Sequence, residues 1–210
     1  MLKNIRILAG AMALISACVL TGCSMSGTTT PTAIPVANSY GQVQNAAAEP
    51  TKSLQSAYST DYFSFPFDPS TMEVTDLSDG SVTGNYILVE PKAEGQLTHV
   101  ELFGGEKITV PSGYTAEIWG EYAKELVSSY YAEPARAKLT VTAADMQQEG
   151  AISMSATIHA EAVDDIPAMT AEVRGINGEQ NSVIMVFTQY EADQTDITPY
   201  QDLMNHIKVY

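Results

Sequence analysis

From Ala151 to Ala162 the chain alternates, with Ile152, Met154, Ala156 and Ile158 on one parity and Ser153, Ser155, Thr157 and His159 on the other. Successive side chains of a strand point to opposite faces, so this segment reads as extended, one face covered and the other wetter. Ser182 to Tyr190 follows a different rule: Val183, Ile184, Met185, Val186 and Phe187 are apolar without a break. A strand apolar on both faces sits in the middle of its sheet. Met169 to Ile176 precedes it across Asn177-Gly178, a pair that tolerates positive φ and predicts a hairpin with a loop longer than two residues.

Upstream, Tyr62, Phe63, Phe65 and Phe67 make an aromatic stretch broken by Pro66 and Pro69. Its odd positions share a side, and it reads as an opening edge strand. Asn85 to Glu90 is a short apolar strand closed by Pro91. Leu97 to Phe103 and Glu106 to Val110 flank Gly104-Gly105, which predicts a hairpin turn between them. Ala137 to Ala143 reads as one more short strand.

Two helices complete the pattern. Trp119, Tyr122, Ala123, Leu126, Val127 and Tyr130 fall at helical spacing between about 114 and 131, with Glu117, Glu121, Lys124, Glu125 and Ser128 opposite. Near the end, Thr198 reads as an N-cap, Pro199 as the first helical residue and Gln201 as its capping-box partner. Tyr200, Leu203, Met204 and Ile207 then form an apolar stripe on a helix over about 199–207. Strands in antiparallel order with helices laid over them define an α+β domain, expected over 57–210.

The rest of the chain is different. Residues 1–22 carry Lys3 and Arg6, then an apolar run from Ile7 to Leu20, which reads as a secretory leader. The run is too short to span a bilayer. Leu20-Thr21-Gly22-Cys23 resembles the lipobox of bacterial lipoproteins, in which the cysteine is acylated and becomes the first residue. Residues 24–56, rich in Ser, Thr, Ala, Pro and Gln, lack the apolar content to form a core and read as a tether from the lipidated N-terminus at 23. Cys18 and Cys23 are the two cysteines, so loss of the first and lipidation of the second leave no thiol for a disulfide, a zinc site or catalysis. Losing the leader leaves 25 acids against 8 bases, a charge of −17. Such a charge opposes binding to nucleic acid, favours a monomer by self-repulsion and steers toward a basic protein or other cell-envelope partner.

Three segments resemble the PsbP-like family, whose members include the lumenal subunit of the photosynthetic oxygen-evolving complex and many bacterial lipoproteins. They are Tyr62-Phe-Ser-Phe-Pro-Phe67, Met169 to Arg174 with the hairpin to Tyr190, and Tyr200 to Ile207. Phe67 stands where the family has Tyr, and no Trp follows Pro69. The resemblance implies a non-enzymatic binding or assembly role at a membrane, without a cofactor. With the lipobox it implies a lipid anchor at Cys23, on the outer leaflet of the plasma membrane or in an outer membrane.

No nucleophile elbow, phosphate-binding glycine loop or zinc-protease helix is present in the sequence. The chemical alternative is a metal-binding protein or metal-dependent hydrolase built on His99, Glu101, His159 and Glu161. In a strand each His-x-Glu pair shares a face, so two adjacent strands would supply four ligands to a divalent metal. Asp164-Asp165 and Glu191-Ala-Asp193 read as solvated loops. Tyr58, Tyr62, Tyr114, Tyr130 and Tyr131 are a candidate aromatic platform.

Overall fold

A computed structural model describes residues 56–80, 83–129, 131, 138–147, 152–163 and 166–210. The leader, Cys23 and the tether up to residue 55 lie outside the described residues. The strands are β1 (Ser56–Ser59), β2 (Phe63–Phe67), β3 (Met72–Asp76), β4 (Asn85–Pro91), β5 (His99–Glu106), β6 (Leu139–Gln147), β7 (Ser153–Ala160), β8 (Met169–Asn177), β9 (Asn181–Tyr190) and β10 (Lys208–Val209). Helices α1 (Ala116–Ser128) and α2 (Thr198–Asn205) follow β5 and β9. A seven-stranded antiparallel sheet runs β3-β4-β5-β9-β8-β7-β6, and a smaller one runs β1-β2-β10. The fold is α+β.

As its doubly apolar pattern requires, β9 lies between β5 and β8, and Ser182 to Thr188 are all buried. On β7, Met154, Ala156, Ile158 and Ala160 are buried while the intervening residues are half-exposed. The apolar row packs under α1 with Trp119, Ala123 and Val127. Gly120 lets the helix settle, since a Cβ there would sit 3.1 Å from Val141 and 3.2 Å from Ala144. Gly175 does the same for the Trp119 ring, 3.0 Å from the position of an added Cβ. The helix is shorter than 114–131 because the Thr115 hydroxyl accepts from the Ile118 N–H and caps it.

The other face of the sheet is covered over β4, β5 and β9, where Phe63 and Phe65 of β2 meet Tyr200, Leu203 and Met204 of α2 above Val100, Leu102, Met185 and Phe187. Several expectations fail in this half. The aromatic strand is central in its sheet, not an edge, because β1 and the C-terminal β10 pair with its two sides. Gly104-Gly105 is not a turn: both residues continue β5 opposite Val183 and Ser182. A Cβ on Gly104 would lie 2.4 Å from the Phe63 ring, so the glycine admits that ring to the core. The segment after Glu106 is consequently a connection to α1 and not a strand.

The Asn177-Gly178 hairpin forms, with residues 178–180 as its loop, but left-handed φ is not the reason for its glycine. A Cβ on Gly178 would stand 2.9 Å from the Val209 carbonyl oxygen, so it is close approach of β10 that requires glycine. Asn177 is buried, with its amide donating to the Ile108 carbonyl at 2.9 Å. The capping box of α2 does not form: Ile197 is the cap residue and makes no side-chain cap bond. Asp196 Oδ1 accepts from the Thr198 N–H at 3.0 Å instead, two residues earlier than the expected cap. The strand expected over 137–143 extends to Gln147 with a bulge between Val141 and Ala143.

Candidate functional site

Register decides the fate of the four metal-ligand candidates. His99 lies opposite Thr188, Thr188 opposite Ala171, and Ala171 opposite Ile158. Residues in one such row point to one face, here the α1 face, so His159, the next residue, points to the other. Strands β9 and β8 also intervene between β5 and β7, a separation of about 14 Å at three strand spacings. His99, Glu101, His159 and Glu161 therefore do not assemble into a site, which corrects the metal-dependent reading. Among the described residues no group of three or more His, Cys, Asp or Glu side chains is placed to hold a metal. His99 Nδ1 bonds to the Leu97 carbonyl oxygen at 2.7 Å, and Glu161 lies 3.8 Å from Lys138 Nζ at the surface.

Half of the pattern nevertheless marks an unusual place. Glu101 is 4% exposed, on β5 opposite Val186 and facing the α1 side. The Tyr86 hydroxyl donates to its Oε1, while Oε2 has no hydrogen-bond partner among the described residues. Tyr86 itself stacks on Phe103 with ring centroids 4.7 Å apart. Burial, then the charge of Glu101, raise the Tyr86 pKa, so this hydroxyl stays a donor. Tyr190 on the same face is raised by burial, with the charge of Glu101 adding to it. The His-x-Glu spacing found the carboxylate; its tyrosine partner, fifteen residues away on β4, carried no sequence signal.

Asp193 has a role that its acidic surroundings concealed. Its Oδ2 accepts from the N–H groups of Leu97 and Thr98, each at 2.8 Å, and its Oδ1 from the Thr195 hydroxyl at 2.6 Å. Burial alone would raise its pKa, but these bonds outweigh it and hold the carboxyl at about 2. This is a clamp joining the start of β5 to the segment after β9. The tyrosine platform is not assembled: Tyr58 and Tyr62 pack on the α2 side, Tyr114 and Tyr131 on the α1 side. Tyr130, Asp164 and Asp165 lie outside the described residues.

A polar surface lies on the sheet face opposite α1. Ser153, Ser155, Thr157 and His159 of β7 lie beside Thr170, Glu172 and Arg174 of β8, all half-exposed. Arg174 Nε is 2.6 Å from Glu172 Oε1, and its Nη1 donates to Asn205 of α2 at 2.9 Å. Thr140, Ala143, Asp145 and Gln147 carry the same face onto β6, where all four are exposed. This surface carries hydroxyls together with the Arg174–Glu172 pair.

The structure is similar to the solution structure of a cyanobacterial PsbP (CyanoP) from Synechocystis sp. PCC 6803, with a TM-score of 0.55. The likeness covers 79% of this chain and 98% of that one at 11% identity. The fold is PsbP-like. At such identity the likeness is one of fold. No protein-family model and no curated protein matches the sequence.

Proposed function

We propose that this protein is an extracytoplasmic lipoprotein, anchored through acylated Cys23, whose PsbP-like domain is a non-enzymatic binding or assembly module. The observation that carries the reading is the polar face across β6, β7 and β8, exposed on β6 and half-exposed on β7 and β8, which neither α1 nor the small sheet covers. The lipobox Leu20-Thr21-Gly22-Cys23 and the PsbP-like fold support it, and the latter supports a non-catalytic role by analogy. Among the described residues no helix is long and apolar enough to cross a membrane, so the anchor rests on residues 1–23. The acidic chain favours a basic protein or other cell-envelope partner over nucleic acid, and a monomer over self-association.

Intact-mass spectrometry of membrane-extracted protein tests the anchor: residues 1–22 are missing and Cys23 carries a diacylglyceryl adduct. Cys23→Ala then moves the protein out of the membrane fraction. Retained Met1, or a Cys23→Ala protein still held in the membrane, overturns the anchoring. A photo-crosslinking residue at Ser155 in intact cells tests the module. Adducts to a basic envelope protein that fade with added salt support it, and the absence of adducts at Ser155 counts against it.

A further inference from the structure

The seven-stranded sheet ends in two unequal rims. β3 is five residues long, whereas β6 has nine, about 30 Å of extended chain, and among the described residues its backbone pairs with β7 alone. Edges are commonly defended by brevity, proline, lysine or a bulge, because unpaired N–H and C=O groups template another strand. Leu139 to Gln147 contains neither Pro nor Lys. Its defences are Asp145 and the bulge at Thr142, whose hydroxyl donates back to the Thr157 carbonyl at 3.2 Å. Asp145 Oδ1 also accepts from the Met146 N–H at 2.8 Å, so among the described residues the stretches of rim with β7 as their one partner strand are Leu139 to Val141 and Ala143 to Asp145.

Beside this rim a groove of about 400 Å³ opens between α1 and β6. Ala116, Glu117 and Glu121 form its helix wall, and Val141 to Ala144 its floor. Glu117 and Glu121 are one turn apart and exposed, with Lys124 Nζ 3.9 Å from Glu121. Asp145 lies on the opposite face of β6, level with Ser155. A strand added to β6 turns alternate side chains into the groove toward Glu117 and Glu121, and the others toward Asp145. Carboxylates thus meet it on both faces. A second copy of this chain, pairing β6 with β6, would set these acids against their own kind on a chain of net charge −15.

We propose that the β6 rim and its groove accept an extended basic segment of a partner protein by strand addition. This rests on the binding-module reading and names the contact it uses: main-chain bonds supply affinity, and the three acids select the charge.

The probe is an eight-residue peptide of alternating Lys and Thr, titrated into the full chain in detergent solution and followed by amide NMR. The expected result is movement and slowed hydrogen exchange of amides in 139–145, with binding that weakens as salt rises. N-methylation at every residue of the peptide removes the donors of both its edges and abolishes binding. The double variant Glu117→Gln and Glu121→Gln, at exposed positions, weakens binding about tenfold and flattens the salt dependence. Unmoved β6 amides, equal binding of the N-methylated peptide, or equal binding by the neutral variant overturns the proposal. None of these outcomes touches the module reading, which the Ser155 crosslink tests on the sheet face without the β6 rim.

Discussion

The two halves of the large sheet are roofed on opposite faces and by different means. Over β6, β7 and β8 the cover is one continuous segment, α1, which packs Trp119, Ala123 and Val127 onto the alternating row of β7. Over β4, β5 and β9 the cover is assembled from both ends of the domain: β2 near its start, α2 and β10 at its close. The first roof is nearly a local structure; the second exists once residues 146 positions apart have met, as Val209 does with Phe63. Forming it costs more loop-closure entropy, so its core is the part expected to form late and to depend most on perfect fit. Among the described residues, diagonal roofing also leaves two quadrants without a helix, one holding the polar platform of β6, β7 and β8 and the other Glu101.

The comparison is sharpest where large side chains are removed. Trp119→Ala and Phe63→Ala, 2% and 0% exposed, each cost about 3 to 5 kcal/mol in chemical denaturation. If the α2 roof forms late, Phe63→Ala acts through faster unfolding and leaves the folding rate nearly unchanged; a marked fall in folding rate breaks the distinction. Leu203→Ala, fully buried in the α2 roof, costs about 2 to 5 kcal/mol. Leu126→Ala, on the half-buried flank of α1, costs about 1 kcal/mol, and a larger loss would mean that the helix is turned further toward the sheet.

Tyr86→Phe probes the quadrant of Glu101. It keeps the ring on Phe103 but removes the Tyr86 donor to the carboxylate, and costs about 1 to 3 kcal/mol. An unchanged melting temperature would show that solvent reaches Glu101 after all. The smallest effect is acidic. Asp193 is depressed to about 2, so its contribution is fully present above the unfolded value near 3.9 and is lost as pH falls from there through about 2. Asp193→Asn removes that part of the acid dependence between about pH 4 and pH 2, seen as a flatter slope in melting temperature against pH. An unchanged slope would sever the clamp from stability.

His-x-Glu shows why a site is harder to read than a fold. The spacing correctly put His99 and Glu101 on one face of one strand, because side-chain alternation is a property of the strand itself. Whether two such strands are neighbours, and whether their pairs face the same way, is a matter of pairing order, and β9 and β8 came between them. Tyr86 and the Leu97 and Thr98 donors of Asp193 were invisible for the same reason, since each contact joins segments with no periodicity in common.

By itself the sequence determined the α+β class, the apolar row of β7, the central place of β9 and the amphipathic face of α1, because each follows from a period repeated within one segment. It determined equally that Tyr200, Leu203 and Met204 would be buried on a terminal helix. Only the tertiary structure decided that Gly104 is a seat for Phe63, that Gly178 makes way for Val209, that β2 is enclosed by β1 and β10, and that Asp196 rather than Thr198 serves the start of α2. A glycine has the same freedom in a turn as beneath a ring, and a polar side chain can cap any amide within reach. What separates those uses is the atom standing 2 to 3 Å away, and that atom belongs to another part of the chain.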